Sequence, residues 1–408
     1  MNYPKSMTIA VHPQRSKVLS GLIIAQIMVG ASNGVTLSMG SLLAAHLAGA
    51  AWGGSAATFT TIGAALFSIP LARMVQKYDR RTSLTTGMLL GCLGALAAML
   101  GAQFGISPVI LLGFLFLGAM SAVNLQARFA ATDVASEESR GRDLSLVVWS
   151  TTIGAIAGPN LFTPSARFSE WLGLEQHAGA YLLCLFGQLV AIGVWRFTLP
   201  KGLKPAGTNT TQLIVKKLTA GARRAISTVA VAHFSMVGLM SMAAVHMDHL
   251  GLSLSIIGFT ISLHVAGMYA LSPVFGLLSD KIGRRFGIFL GLGMLGAAAL
   301  FMICWPDPQW SVVTSMILLG LGWNSALVSS SALLIDETSA PARTFAQGRS
   351  DLVMNLAGAS GGILAGPLIT LGGMPLLAGV VAIVVAIQAV FNLPRKGTAS
   401  PQPHILAQ

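Results

Sequence analysis

The chain has 408 residues, of which 54% are hydrophobic and 9% charged, and its formal net charge is +12. This composition excludes a soluble protein with a single globular core, because too few polar residues are present to cover its surface. It indicates a membrane protein with several spans, in which the positive charge reflects topology and not nucleic-acid binding.

Apolar stretches of about 20 residues, each able to cross a bilayer core of roughly 30 Å, follow one another along the chain. We expect all of them to be helices, because a lipid-exposed backbone must satisfy its own hydrogen bonds. The first continues for a full span, so we expect it to be retained and not removed as a signal peptide. The sequence thus predicts an all-α polytopic protein with twelve transmembrane helices at residues 18–47, 52–76, 82–104, 107–130, 142–164, 176–198, 226–248, 252–277, 284–304, 310–334, 346–371 and 373–393.

Basic residues gather at the N-terminus, in the loops that follow even-numbered spans and at the C-terminus, and only Arg167 falls on the other side. By the positive-inside bias this face is cytoplasmic and holds both termini. Lys216, Lys217, Arg223 and Arg224 lie on the same face without interleaved aromatic residues. We interpret them as an anchor to lipid headgroups and not as a nucleic-acid site.

A segment rich in proline and glycine separates six spans from six. We predict an N-terminal six-helix bundle at residues 1–198 and a cytoplasmic linker at 199–225. A C-terminal six-helix bundle at 226–394 and a cytoplasmic tail at 395–408 follow.

A related loop follows the second span of each half, which indicates an internal duplication. The earlier copy has Arg80 and Arg81, but Gln76 occupies the position of the later copy's acid. The later copy combines glycines, an acid and basic residues, namely Gly276, Asp280, Lys281, Gly283, Arg284 and Arg285.

The later loop resembles the signature Gly-x-x-x-Asp-(Arg/Lys)-x-Gly-Arg-Arg of the major facilitator superfamily of secondary transporters. The resemblance covers the whole chain and implies two pseudo-symmetric bundles that rock about a central cavity. It also implies that the acid and arginines of the loop clamp the inward face shut in one state. A second fragment, with Gly154, Gly158 and Pro159, partly matches an antiporter motif. We interpret this fragment as close helix packing.

Polar groups within the spans are the candidates for binding a substrate. No carboxylate lies near a predicted midplane, which argues against a substrate that needs a buried counter-ion. Uncharged polar side chains could bind a neutral organic solute, or could only tie helices together. The candidates that would line the cavity are Asn33, Asn124, Trp323 and Asn324.

Two pairs of soft ligands stand out on consecutive spans. Met236 and Met240 lie on the seventh span, and His264 and Met268 lie on the eighth. Residues four apart share one face of a helix, and the lengths of the two spans place His264 near the depth of Met236. Thioethers and imidazole suit Cu(I), whereas methionine alone is often flexible core filler. The sequence therefore predicts a candidate metal site.

A third pair lies nearer the predicted outer end of the seventh span. Met242 and His246 are four residues apart, and His249 follows them. We predict that they could form an entry site or relay for the same ion.

With these residues in place, the chain resembles the CcoA-like transporter family, bacterial copper importers within the major facilitator superfamily. That family carries Met-xxx-Met on helix 7 and His-xxx-Met on helix 8. The resemblance implies a monomer that imports copper across the bacterial inner membrane for cytochrome oxidase assembly. Copper would be the transported substrate, and no cofactor is implied.

Alternative functions remain open. Relatives in the same broader group carry organic substrates, so a carrier for riboflavin or another small neutral metabolite is the second hypothesis. A sensor or assembly factor that transports nothing is the third, and the lack of a sizeable soluble domain disfavours it. Ser360 lies in a Gly-x-Ser-x-Gly pattern, but that pattern falls in a predicted membrane helix without a strand before it. We therefore predict no enzyme activity.

Overall fold

The computed structural model describes residues 14–134, 140–203, 218–338 and 343–393, which fold into helices and contain no strand. About half of the predicted linker and all of the predicted tail lie outside these ranges. A 3-10 helix, Ala50–Trp52, precedes α2. The α-helices are α1 (Arg15–Ala48), α2 (Ser55–Lys77), α3 (Arg80–Phe104), α4 (Ser107–Val134), α5 (Arg140–Asn160), α6 (Phe162–Trp171), α7 (Ala178–Thr198), α8 (Ala220–His249), α9 (Leu254–Tyr269), α10 (Ser272–Ile282), α11 (Arg284–Cys304), α12 (Gln309–Asp336) and α13 (Arg343–Asn392).

The all-α membrane fold predicted from the sequence is confirmed. Ten helical stretches in the described ranges are long and apolar enough to cross a membrane. One of them covers the last two predicted spans, because α13 bends at Gly372 and Gly373. Gly373 has φ of +67°, a conformation that favours glycine. The remaining predicted span is α5, which is less apolar than the others.

The eighth predicted span is discontinuous. Its first part, α9, ends at Tyr269, and its second part, α10, begins at Ser272 with Pro273 in the first turn. Proline has no N–H to donate, so it is tolerated in a first turn and interrupts a longer helix. The break begins one residue after Met268.

The chain folds as two helical halves, α1–α7 and α8–α13, and glycines let helices approach closely within each. In the first half, a Cβ at Gly154 would lie 1.8 Å from the carbonyl oxygen of Ile27. A Cβ at Gly158 would lie 2.4 Å from that of Ala31. The sequence predicted close helix packing at Gly154 and Gly158, and this prediction is confirmed. Only glycine allows α5 to contact α1 at these two positions. The residue limits of the two bundles stay a prediction.

We call the face where α1 begins and α13 ends the terminal face, and the other end of the bundle the opposite face. Contacts between the halves occur toward the opposite face, where α2 meets α13. A Cβ at Gly54 would lie 1.9 Å from the carbonyl oxygen of Gly362, and one at Gly366 would lie 1.8 Å from that of Ala51. Two backbones therefore touch here without side chains between them.

Helices α5 and α9 form a second contact between the halves near the same face. The amide of Asn160 donates to the hydroxyl of Ser262 over 2.7 Å. A Cβ at Gly258 would lie 2.3 Å from the carbonyl oxygen of Pro159. Helix α5 ends and α9 begins at the opposite face. The contact of α5 with α9 and that of α2 with α13 therefore close the space between the two halves on that side.

Candidate functional site

His264 is completely buried on α9, where two glycines bring α12 against it. A Cβ at Gly320 would lie 2.2 Å from the carbonyl oxygen of His264, and one at Gly267 would lie 3.2 Å from that of Ile317. This approach places the His264 Nδ1 atom 2.8 Å from the carbonyl oxygen of Met316. A carbonyl only accepts, so Nδ1 must donate.

The other ring nitrogen of His264 is the unusual atom of the site. Because Nδ1 carries the proton, Nε2 of the neutral ring presents a lone pair. Nε2 is buried and has no hydrogen-bond partner among the described residues. An unpaired buried polar atom costs about 1–3 kcal/mol, so this lone pair requires an explanation.

The three methionines of the predicted site are also buried. Met236, Met240 and Met268 are 5%, 8% and 7% exposed, and all belong to one continuous apolar cluster. Helices α8 and α9, which carry the four predicted ligands, both pack on α12.

Contacts across α12 give the relative depth of these residues. Trp323 contacts His233 of α8 and Tyr269 of α9, so the three lie at about the same level. At ~1.5 Å per residue, Met268 lies ~1.5 Å and Met236 ~4.5 Å from this level toward the opposite face. On the same scale His264 lies at ~7.5 Å and Met240 at ~10.5 Å. The predicted ligands therefore spread over ~9 Å of depth, with His264 between Met236 and Met240.

His233 was missed by the sequence interpretation, although it lies three residues before Met236 on the same helix. The indole Nε1 of Trp323 donates to its Nδ1 over 3.1 Å. The neutral ring of His233 therefore carries its proton on Nε2, the reverse of His264. His233 offers an N–H group and His264 a lone pair, so of these two rings it is His264 that could bind a metal ion in this arrangement.

The predicted cavity asparagines are bonded to neighbouring helices. The Oδ1 atom of Asn33 accepts from Ser121 over 3.1 Å. That of Asn124 accepts from Gln26 over 2.7 Å. Asn324 donates to the carbonyl oxygen of Gly267 over 3.2 Å. These contacts favour the helix-tying alternative over substrate binding.

The predicted outer relay is engaged in other contacts. His246 Nε2 lies 2.7 Å from the carbonyl oxygen of Pro306. A Cβ at Gly53 would lie 2.9 Å from the sulfur of Met242, so this methionine packs against the other half. His249 is exposed at the end of α8. The relay therefore stays a prediction without a shared site.

The duplicated loop forms ion pairs at the terminal face. Arg284 contacts Asp280 and donates to Asp336 over 3.0 Å. In the earlier copy, Arg80 donates to Asp133 over 2.7 Å. These pairs lie within one half each, which leaves the clamp between the halves a prediction. The other predicted members, Gly276, Lys281, Gly283, Arg285 and Arg81, are partly or fully exposed.

The described part of the chain has no site of the kind that binds Zn²⁺ or Mn²⁺. No group of three or more His, Cys, Asp or Glu side chains there could hold a metal ion. Cys92, Cys184 and Cys304 are free thiols. Zn²⁺ and Mn²⁺ prefer such groups, whereas Cu(I) accepts thioethers.

Comparison with known proteins identifies the family. The sequence profile of the Major Facilitator Superfamily matches residues 22–230 and 225–406. The chain belongs to this superfamily. It is thus a multi-pass membrane transporter and not an enzyme.

Relatives agree with this assignment. The chain is 34% identical to "Uncharacterized MFS-type transporter YddS" of Bacillus subtilis, over 86% of this chain and 85% of the relative. It is 27% identical to "Riboflavin transporter RfnT" of Brucella anthropi, over 97% of this chain and all of the relative.

Solved structures show the same fold. A bacterial homolog of the human lysosomal transporter Spinster, in an inward-facing and occupied conformation, superposes with a TM-score of 0.74. The alignment covers 94% of this chain and 97% of that chain at 15% identity.

Proposed function

We propose that this transporter imports Cu(I) across the bacterial inner membrane, with Met236, Met240, His264 and Met268 as the transit site. The terminal face would be cytoplasmic, as the positive-inside bias predicts. Copper would then supply cytochrome oxidase assembly, as the resemblance to the CcoA-like family implies.

The lone pair of His264 Nε2 is the observation that carries the proposal. It is buried and unpaired in the described structure, and three buried thioethers belong to the apolar cluster of the same half. A Cu(I) ion would satisfy this nitrogen, and neutral soft ligands would let a monovalent ion leave again. Water or a hard divalent ion would be poorly held by the same sulfur atoms.

The broken eighth span supports a binding site at this place. Transporters commonly bind their cargo where a membrane helix is discontinuous, near the middle of the bilayer. Here α9 ends at Tyr269, directly after Met268 and one turn beyond His264. The contacts of α2 with α13 and of α5 with α9 close the opposite face. Cargo in this conformation would leave toward the terminal face.

Radiocopper uptake by cells that produce the protein tests the proposal. His264→Asn keeps a side-chain donor for the Met316 carbonyl but removes the Nε2 lone pair. Met236→Leu removes a sulfur at similar volume. We expect each variant to lose at least about tenfold in uptake, equivalent to ~1.4 kcal/mol.

Met302→Leu is the matched control, because Met302 is a fully buried methionine on α11 outside the predicted site. Its copper uptake should equal that of the wild type at equal protein level. Wild-type uptake in both His264→Asn and Met236→Leu would overturn the transit site.

Riboflavin or another planar metabolite is the second candidate cargo. It is favoured by the relative from Brucella anthropi and by the aromatic group of His233, Trp323 and Tyr269. Uptake of labelled riboflavin by the same cells tests it. Riboflavin uptake that is lost in Trp323→Leu and kept in His264→Asn would establish this function in place of copper import.

A further inference from the structure

A cavity at the terminal face lies between the start of α3 and the end of α7, away from the proposed transit site. Its volume is about 210 Å³, and the segment that follows α7 completes its wall. Arg81, Arg196 and Lys201 line it, together with three threonines and the carboxylate of Asp79. Three positive charges against one negative charge favour an anionic ligand.

The chain after α7 folds back to form part of this wall. The backbone N–H of Gly202 donates to Oδ2 of Asp79 over 2.9 Å, and that of Arg80 donates to the carbonyl oxygen of Leu203 over 2.8 Å. Leu203 is buried in the apolar cluster of the first half. These contacts fix the backbone next to Lys201 at the start of α3, so the cavity is a defined feature of the fold.

The polar groups of the cavity leave capacity for a ligand. Both oxygens of Asp79 already accept backbone N–H groups, Oδ1 from Thr82 over 2.6 Å and Oδ2 from Gly202. The three basic side chains take part in none of the ion pairs of the described residues. The Oγ1 atom of Thr85 is buried and has no hydrogen-bond partner among the described residues. Cationic donors and a hydroxyl are the groups that bind phosphate oxygens.

On α3, the threonines of the cavity continue into an apolar stripe. Leu89 and Leu93 follow Thr82 and Thr86 at spacings of three and four residues, which place all four on one face of the helix. Leu89 and Leu93 are 49% and 57% exposed. At ~1.5 Å per residue they lie ~12 and ~18 Å beyond Arg81. The stripe therefore leads from the cavity into the hydrocarbon region of the bilayer.

Helix α7, which packs against α3, repeats this pattern. From Arg196 the same spacing leads back along the helix to Gly193, Leu189 and Phe186. Leu189 and Phe186 are 52% and 62% exposed, and no atom lies within 4 Å of the Cβ position of Gly193. The two stripes thus share a cationic end and continue as apolar surface.

A contact between the two helices places the stripes at the same depth. A Cβ at Gly91 of α3 would lie 3.4 Å from the side chain of Gln188 on α7. Gly91 lies between Leu89 and Leu93, and Gln188 directly precedes Leu189. The exposed leucines of both helices therefore border one lipid-facing groove.

We propose that this groove binds an anionic phospholipid, with its phosphate in the cavity and an acyl chain along α3 and α7. Arg81, Arg196 and Lys201 would contact the phosphate, and the hydroxyl of Thr85 would donate to one of its oxygens. The apolar stripes that begin at the cavity favour a lipid over soluble phosphate. Basic pockets between membrane helices on the cytoplasmic side bind such headgroups, in agreement with the predicted position of the terminal face. The proposal does not depend on the cargo.

Native mass spectrometry of the purified full-length protein with added phosphatidylglycerol tests the site. Arg196→Gln combined with Lys201→Gln removes two cations at exposed positions, where the fold does not depend on them. We expect this double variant to bind phosphatidylglycerol about 30-fold more weakly than the wild type. Thr85→Val should weaken binding about fivefold, because it removes one hydrogen bond and keeps the charges.

Arg73→Gln combined with Arg349→Gln is the matched control, because it removes two exposed charges at the same face outside the cavity. This control should bind phosphatidylglycerol as the wild type does. An equal loss of affinity in the control would overturn the site, since the total charge of the face would then govern binding. Wild-type affinity of the Arg196→Gln, Lys201→Gln variant would overturn it as well.

Two further measurements distinguish a lipid from a soluble anion. Inorganic phosphate at the same concentration should not displace phosphatidylglycerol, and displacement would overturn the assignment to a lipid. In nanodiscs, phosphatidylglycerol with a photoreactive acyl chain should label residues 89–93 of α3. The label should be lost in the Arg196→Gln, Lys201→Gln variant. Labelling of this stretch that is equal in the variant and the wild type would overturn the placement of the headgroup.

Discussion

The two halves of this transporter share a scaffold but differ in the chemistry of their interiors. Arg80 at the start of α3 pairs with Asp133 near the end of α4, and Arg284 at the start of α11 pairs with Asp336 at the end of α12. The same ion pair at the same place in each half is the structural counterpart of the duplicated loop. Both copies of the duplicated loop therefore keep an arginine–aspartate ion pair at the terminal face.

Sulfur atoms in the two interiors have different partners. In the first half, Met120 and Cys184 both accept from the amide of Gln188, over 3.1 and 3.2 Å. In the second half, Met236, Met240 and Met268 are buried on α8 and α9, and Nε2 of His264 on α9 has no hydrogen-bond partner in the described structure. Similar soft atoms therefore have a hydrogen-bond donor in the first half, whereas the proposed transit site in the second half assigns them to cargo.

The largest expected loss of stability comes from breaking the more buried of the two ion pairs. Side chains of Arg80 and Asp133 are 11% and 8% exposed, whereas those of Arg284 and Asp336 are 27% and 53% exposed. Asp133→Asn would leave a buried arginine unpaired and should lower the free energy of unfolding by about 3 kcal/mol. Asp336→Asn should cost at most about 1 kcal/mol.

Thermal unfolding of both variants in detergent measures this difference. Equal losses of stability would contradict the comparison, because burial would then not distinguish the two copies. Arg80→Gln combined with Asp133→Asn is the control, since removing both charges should restore part of the stability that Asp133→Asn loses.

A smaller effect is expected where the two loops enter their following helices. Gly283 precedes α11 with φ of +118°, a conformation that side chains rarely adopt, and it provides no side-chain cap. Gly283→Ala should therefore cost about 1–3 kcal/mol. Unfolding in denaturant checks this value, and a stability equal to that of the wild type would show that the loop can adopt another conformation.

The equivalent position of the first half is Asp79, which caps α3. Its carboxylate accepts from the backbone N–H of Thr82 over 2.6 Å and from that of Gly202 over 2.9 Å. Asp79→Ala should cost about 1 kcal/mol, a typical value for a lost cap. This is the smallest of the three effects.

The cost of Asp79→Ala should depend on pH. Burial opposes ionisation of Asp79, but the hydrogen bonds from Gly202 and Thr82 lower its pKa below the usual value. A depressed carboxyl pKa stabilises the fold above the unfolded value of about 3.9, and this stabilisation is lost as pH falls through the folded pKa. Unfolding at pH 7 and pH 3 should show a smaller difference from the wild type at pH 3. An equal difference at both would refute this assignment.

Apolar runs predicted the transmembrane helices well, because lipid imposes the same requirement on every span. The predicted boundary between the spans 346–371 and 373–393 lies at the bend of α13, at Gly372 and Gly373. The break after Tyr269 was not predicted, although Pro273 marks its far side. Its position depends on how α9 packs against its neighbours, which hydropathy does not report.

The candidate site was predictable only along single helices. His264 and Met268 could be identified from the sequence because they are four residues apart, and residues at this spacing lie on the same face of a helix. His233 and Trp323 lie 90 residues apart, and their contact depends on the register between α8 and α12. The tie of His246 to the carbonyl of Pro306 likewise arises from tertiary packing. Sequence periodicity contains no information on such contacts.

Copper X-ray absorption of the purified protein tests the central claim most directly. Protein loaded with Cu(I) should show sulfur and nitrogen neighbours, and the sulfur signal should vanish in the triple Met236→Leu, Met240→Leu, Met268→Leu variant. Met302→Leu should keep it. A wild-type spectrum without sulfur neighbours, or a sulfur signal unchanged in the triple variant, would contradict a thioether transit site in the second half.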